Sequence, residues 1–436
     1  MLMIEDIKRL NYIYYSSFRQ FSKSPQSLIM CYLRFFIRTL KSVVLLQVGY
    51  THVNEVLFVV PSVNNKKSVR TIVDNFPQKN VSIWGNFKMN LPWALINLYS
   101  ILDVCKFQKF YNSSSSEDKK LIRRFFSSFI NTYGYYKVFK KILEDNPQLK
   151  MIVFSNDHTT PCRCLIELAE KLQIKTLYVQ HASVTERFPP LRFDYSFLDG
   201  MESYEKYRKI GNLRGEVFLS GSPRFDAFYN QCKSQCYDVG IALNMMDSIE
   251  KVLELCLYLR DHYSKKIIVR PHPGMLNGRF DERIFLNHGI SISDSRKDMS
   301  NVFISQIYFL IANESGIHLD AAIMGVPSVL FNFSDNDIFD WYSYIKTGLV
   351  KVCSSYDDVL SLLNSNCHQS PEAVRYYAAS FHSPMDGKVG EMIATFMKKE
   401  IFNSSEDSHR YIYNIMSDRG GYAEYNFNKL FLNNGE

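Results

Sequence analysis

Short apolar runs of strand length recur along this chain, and most are followed by residues with helical spacing. The fullest instance is Ile307–Phe331. It opens with the apolar run Ile307–Ala312 and closes with Ser328–Phe331. Between them, Ile317, Leu319, Ala321, Ala322 and Ile323 predict a helix over Gly316–Met324, stopped by Gly325 and Pro327. Strand, turn, helix and strand make one βαβ unit. The same pattern predicts strands at Val56–Ser62, Val81–Trp84, Lys150–Phe154, Thr176–Val179, Tyr195–Leu198 and Val217–Leu219. Further strands follow at Asp238–Leu243, Lys266–Val269, Ile290–Ile292 and Leu349–Val352. Helices fall at Leu91–Leu102, Arg163–Leu172, Ser248–His262, Asp357–Leu363, Pro371–Ala379 and Lys388–Lys399. Strands alternating with helices predict an α/β fold with parallel sheets.

Residues 1–48 read as helical, and Ser27–Val48 is the most apolar stretch of the chain. Arg34, Arg38 and Lys41 interrupt it near one face, so it is a poor membrane span. It reads either as a helix packed inside the protein, the favoured reading, or as one lying on a membrane surface. A second basic region runs from Lys106 to Lys141. It is either a solvated helix face or a rim for an anionic acceptor or lipid.

Length and composition narrow the class. The 436 residues suffice for two domains, and 46% hydrophobic against 22% charged residues allows a core in each. A net charge of +7 suits an acidic partner such as a nucleotide phosphate or an anionic membrane. No aromatic-basic motif marks nucleic-acid binding. The nine cysteines are scattered, which favours reduced thiols over zinc knuckles. Met1–Leu10 carries acidic residues, so no signal peptide is expected and the location expected is cytoplasmic, with peripheral contact on an anionic membrane as a further expectation.

Three clusters carry candidate chemistry. Arg270-Pro271-His272-Pro273-Gly274 follows a predicted strand, and the two prolines hold the backbone of His272. A histidine fixed there can donate to a phosphate, and Arg270 adds charge. Asn313-Glu314-Ser315-Gly316 precedes a helix whose N-terminal N–H groups would complete an anion cradle, with His318 and Asp320 in the next turn. Asn313 and Ser315 read equally well as plain helix caps. The third cluster is the set of strand tips in the first half, with Asp157, His158, His181, Glu186 and Asp199. Four successive strands there end in small or polar residues, as a sheet with a ligand edge requires. His181 is either a site residue or a core histidine bonded to backbone. No P-loop, G-x-G-x-x-G or G-x-S-x-G elbow is present. On the reading that no D-x-D marks a metal site, no metal and no cofactor are expected.

The order Gln180-His181, then G-S-P-R-F-D from Gly221, then His272-Pro273-Gly274, then E-S-G-I-H-L-D-A-A from Glu314 resembles bacterial glycosyltransferases of the GT-B fold. The nearest in style build capsule and lipopolysaccharide, and use CMP-activated nonulosonic or Kdo-type sugars. Teichoic-acid glycerophosphotransferases and UDP-GlcNAc 2-epimerases have similar second halves. The resemblance covers about residues 150–335. It implies two Rossmann-like domains with parallel sheets facing across a cleft. Residues 1–225 would form the acceptor-side domain with its helical N-terminal segment. Residues 226–400 would hold the nucleotide sugar, and 401–436 would return toward the first domain. Donor binding would involve Arg270, His272, Pro273, Gly274, Glu314, Ser315, Gly316 and His318, with Gly221 and Ser222 at the crossover. The family's acidic pair before glycine is met here only by Leu198-Asp199-Gly200.

Glycosyl transfer needs a stabilised leaving phosphate and a carboxylate as base or nucleophile. Asp157 and Asp238 are the first candidates for that carboxylate, then Glu186 and Asp199, with His181 beside them; each also reads as a loop or capping residue. The expected activity is metal-independent transfer from a nucleotide sugar to a glycan or lipid-linked glycan of a bacterial surface polysaccharide. A CDP-glycerol or CDP-ribitol phosphotransferase of the same fold and a non-catalytic assembly partner are the alternatives.

Overall fold

The computed structural model describes residues 4–17, 26–44, 52–85, 91–365, 368–402 and 414–416. The chain divides into two units, one comprising residues 1–224 with the segment from Val389 onward, the other Phe225–Lys388. Each contains a parallel sheet covered by helices, so the expected α/β class with two Rossmann-like units is what the chain forms.

In the first unit the strands are β1 (Val56–Val60), β2 (Val81–Gly85), β3 (Met151–Phe154), β4 (Lys175–Val179), β5 (Arg192–Leu198) and β6 (Arg214–Leu219). Their order is β6-β5-β4-β3-β1-β2, all parallel. β1 and β3 are buried along their whole length, because helices cover both faces. That is why they read as continuous apolar runs. β5 begins three residues earlier than its apolar run. Asp194 explains this: its carboxylate accepts from the N–H and hydroxyl of Thr176 at 2.7 and 2.8 Å, so polar residues extend the ladder.

The helices Trp93–Leu102 and Phe126–Glu144 belong to a helical layer inserted between β2 and β3. They meet at Gly134, where an added Cβ would lie 2.0 Å from the Ile96 carbonyl oxygen. The helix Val389–Phe402 packs on the helix Val63–Asp74 of this same unit, with a Cβ at Gly390 blocked by Thr71. The second unit therefore closes at Lys388 rather than near residue 400. Of the expected 401–436 tail, most lies outside the described residues; Asn414–Met416 (numbered β13 here, after the strands of the second unit) pairs antiparallel with β6.

The second unit holds β7 (Tyr237–Ala242), β8 (Ile267–Arg270), β9 (Ser291–Ile292), β10 (Ile307–Ala312), β11 (Ser328–Phe331) and β12 (Lys351–Cys353). Their order is β12-β11-β10-β7-β8-β9, all parallel. β10 is the pattern's best case. Leu310 and Ala312 enter one core and Phe309 and Ile311 the other, as a period of two demands. The chain steps outward from β7 through β8 to β9, then returns to β10 on the other side. The crevice between the ends of β7 and β10 is thus this sheet's switch point, the place where such sheets take ligands.

Gly134→Ala should destabilise the first unit by about 1–3 kcal/mol, because the methyl must displace backbone rather than a side chain. A lowered thermal midpoint is the expected result; an unchanged one would mean that the two helices separate freely.

Candidate functional site

The ligand edge of the second unit is built around Asn313, the first residue after β10. Its side-chain amide donates to Asp247 Oδ1 at 2.7 Å, and its carbonyl oxygen Oδ1 accepts from the Glu314 N–H at 2.8 Å. Asp247 lies in the loop after β7, and its other oxygen accepts from the Asn244 N–H at 2.7 Å. Both side chains are buried. Burial pushes the Asp247 carboxyl above the usual range, and the bonds from Asn244 and Asn313 oppose it. One hydrogen bond thus ties the two loops across the switch point.

Below this turn sits His318, fully buried. Its Nε2 lies 3.1 Å from the Asn313 carbonyl and its Nδ1 3.1 Å from the Ser328 hydroxyl. A carbonyl can only accept, so Nε2 donates and Nδ1 accepts. Burial lowers the imidazole pKa to about 4. His318 therefore holds the turn from inside, as a neutral ring with both nitrogens used, and corrects the expectation that it binds a donor.

Above the turn, Ser315 is half-exposed, and its hydroxyl accepts from the Ile317 N–H at 3.4 Å. The helix runs Ile317–Ile323, one residue shorter at each end than expected, with Gly316 as its cap residue. A Cβ on Gly316 would meet nothing within 4 Å, so this turn opens onto free space. Glu314 is not available as expected: its carboxylate accepts from the N–H groups of Phe339 (3.2 Å) and Trp341.

His272, after β8, is exposed. Its Nδ1 accepts from the Gly274 N–H at 3.0 Å, which puts the proton of the neutral ring on Nε2 and presents that N–H outward. Gly274 is needed for this geometry, because a Cβ there would lie 2.7 Å from Met245 Sδ and 3.2 Å from His272 Nδ1. Pro273 is exposed beside it. Arg270 is committed elsewhere. Its guanidinium donates to the Ser293 hydroxyl at 3.0 Å and the Asp298 carbonyl at 2.7 Å, and lies over the Phe303 ring. It anchors the loop after β9 instead of offering its charge.

Asp238 stands at the start of β7, the opposite end of the sheet, where it accepts from the Lys266 N–H at 2.8 Å. Four further residues to the strand end place it roughly 13 Å from the ligand edge, which removes it as a candidate base at that edge.

The edge of the first unit gathers more titratable groups. Asp157, after β3, is buried. Its carboxylate accepts from His158 Nδ1 at 3.1 Å and faces the Tyr207 hydroxyl at 3.5 Å. The His158 ring then accepts at Nε2 from Asn156 at 3.1 Å. His181, after β4, stacks on His158 with ring centroids 5.8 Å apart. Among the described residues its buried Nδ1 has no hydrogen-bond partner. Burial, then the charges of His158 and Arg224, lower its pKa to about 4, with Asp157 opposing. Asp199, after β5, is pushed up to about 6 by burial, against Arg224 and Ser222. Arg224 approaches it at 3.8 Å. A carboxyl near 6 can give or take a proton at neutral pH.

Gln180 organises this edge. Its carbonyl oxygen accepts from the Asp199 N–H at 2.9 Å, and its amide donates to Ala182 and Ser203. Gly221, at φ +75°, turns the chain after β6, and Ser222 is wholly buried against Asp199. Both lie in the first unit, on the turn after β6. Glu186 is exposed on the loop between β4 and β5.

Asp247, Gln180 and Arg224 are the members that sequence reasoning left unassigned. Asp247 is a lone polar residue five positions beyond β7, a signal too common to single out, whereas Gln180 and Arg224 stand within quoted motifs without a role of their own. A further correction concerns metal. Asp335-Asn336-Asp337, after β11, is a D-x-D tripeptide that the sequence reading passes over. Asp335 is exposed and pairs with Lys251 at 2.7 Å. Among the described residues no three His, Cys, Asp or Glu side chains gather to hold a metal ion.

His318→Gln should cost about 1–3 kcal/mol by leaving the Ser328 O–H donor or the Asn313 carbonyl without its partner. It should also remove a pH dependence. The folded ring stays neutral down to about pH 4 while the unfolded one protonates near 6.5, so the wild type loses stability as pH falls through that window. Denaturant titrations at several pH values should show a shallower slope in the variant.

No protein-family model matches the sequence, and no curated protein matches it either. Solved structures are similar over most of the chain. A UDP-GlcNAc 2-epimerase from Neisseria meningitidis bound to UDP-GlcNAc aligns with 12% identity over 80% of this chain and 100% of its own, at a TM-score of 0.49. The wall teichoic acid polymerase TagF aligns with 12% identity over 85% and 98%, at 0.46. A glycotransferase of kitacinnamycin aligns with 9% identity over 80% and 99%, at 0.47. All three scores lie below 0.5, so the fold stated for this chain rests on its own two parallel sheets.

Proposed function

We propose that this chain is a transferase that takes a group from a nucleotide-activated donor, with the donor phosphate held at the ligand edge of the second unit. The observation that carries the reading is the exposed His272 ring, pinned by Gly274 so that Nε2–H points outward. β8 and β10 flank β7. Their tips are therefore about 10 Å apart, the span of a nucleoside diphosphate, with His272 on one and Ser315 on the other. A fixed N–H donor stabilises the charge that develops on a leaving phosphate without reorganising. Ser315 and the open backbone at Gly316 add hydroxyl and amide donors.

In the first unit, Asp199, poised near 6 by burial with Arg224, Ser222 and Glu202 around it, is a group able to take or give a proton. The preferred donor is a CMP-linked nonulosonic or Kdo-type sugar, and the preferred product is an extended bacterial surface glycan. The resemblance of the H-P-G and E-S-G motifs to such transferases supports that choice.

Thermal-shift measurements with CMP, CDP and UDP are the direct test. Stabilisation by CMP alone fits the sugar transferase, and stabilisation by CDP favours transfer of a polyol phosphate. No shift with any of the three overturns the reading. His272→Ala should weaken the responding nucleotide by about 1.5–3 kcal/mol, roughly 10- to 150-fold, with the fold intact. Ser315→Asp should keep the Ile317 N–H capped, and hence stability, while repelling the phosphate. Retained affinity in both variants would move the phosphate site elsewhere. Transfer should persist in excess EDTA. Loss restored by magnesium or manganese would instead give Asp335 and Asp337 a metal-binding role.

A further inference from the structure

The helix Leu28–Val44 is apolar on two opposite faces. One face packs: Cys31, Phe35, Thr39 and Ser42 are buried, with Phe35 and Tyr32 against Phe126 and Phe107. At about 100° per residue, Ile29, Leu33, Ile37, Leu40 and Val44 fall on the side opposite to that stripe. They are 74%, 51%, 65%, 66% and 77% exposed. Arg34, Arg38 and Lys41 lie along one flank between the two faces, all exposed. The neighbouring helix Trp93–Leu102, joined through Asn97 donating to the Ser42 hydroxyl at 2.9 Å, adds exposed Leu95, Leu98 and Leu102.

Large exposed apolar faces are costly in water and mark interaction surfaces. The charges say which kind. Leu28–Val44, Trp93–Leu102 and Val104–Ser113 contain no aspartate or glutamate. Beside the first of them, Arg34, Arg38, Arg123 and Arg124 line a cleft of about 460 Å³. On these three helices a second copy of the chain would bring no carboxylate to meet those cations, whereas phosphate head groups would. Among the described residues no helix is long and apolar enough to cross a membrane.

We infer that this face docks the protein on an anionic lipid bilayer. The Leu33–Ile37–Leu40 stripe enters the acyl boundary and the arginine flank lies at the phosphates. The inference is independent of the donor chemistry proposed above.

Co-sedimentation of the full chain with phosphatidylcholine vesicles, with and without phosphatidylglycerol, tests it. Binding is expected to the phosphatidylglycerol vesicles and to weaken with salt. Ile37→Asp with Leu40→Asp should reduce it about tenfold or more, and Arg34→Glu with Arg38→Glu should abolish the preference for phosphatidylglycerol. Ile37→Trp gives a readout within the folded protein: its fluorescence should shift to the blue on adding those vesicles. No binding at low salt overturns the inference. So does binding unchanged by the aspartate pair, which would be surface electrostatics only. A lipid-free dimer dissolved by the same pair would assign the face to a second copy instead.

Discussion

Asn313 donates to Asp247 at the point where the strand order of the second sheet reverses, and the chemistry of that edge follows from this bond. It closes the loop after β7 onto the turn after β10. The turn is held from below by His318 and at its side by the grip of Glu314 on the Phe339–Trp341 backbone. Four buried or half-buried polar side chains thus commit their hydrogen bonds to geometry. What is left facing outward is the Ser315 hydroxyl, bare backbone at Gly316, and the His272 N–H on the neighbouring strand. In a low-dielectric setting such networks work only when fully satisfied, and each nitrogen of His318 has its partner.

The first unit uses burial for a different end. Its strand tips carry ionisable groups close enough to perturb one another. The imidazole of His181 is held neutral by burial, while Asp199 is raised toward neutrality by the same cause. Desolvation disfavours charge on either group, so it lowers a base and raises an acid. The result is an edge where a proton can move near pH 6 without a large field. The second unit's edge, by contrast, offers fixed donors. The two edges differ in what their chemistry can do, although both stand at the carboxyl ends of parallel strands.

The helix Leu28–Val44 shows how far periodicity can mislead. An apolar stripe at helical spacing predicts a buried face, and here the most strongly apolar side is the exposed one. The helix packs instead through Phe35, Cys31 and two small polar residues that hydrogen-bond within the helix or to its neighbour. The pattern identifies an amphipathic element; it does not say which side meets protein.

Strands buried on both faces were legible in the sequence, because parallel sheets demand unbroken apolar runs and those runs stand out. The strand tips were legible too, as polar residues immediately beyond those runs. What such patterns cannot carry is the partner of each polar side chain. His318 and His272 both read as donor ligands. Strand order and burial made one an internal brace and left the other presented to solvent. Arg270 and Glu314 read as charges for a ligand, and tertiary contacts spent them on neighbouring loops. Asp238 read as a candidate base until the direction of β7 set it at the far end of the sheet. Spacing along the chain determined which elements form and which residues lie at their ends. The fold alone decided which polar groups are satisfied inside and which remain to bind, because hydrogen-bond partners come from residues distant in sequence.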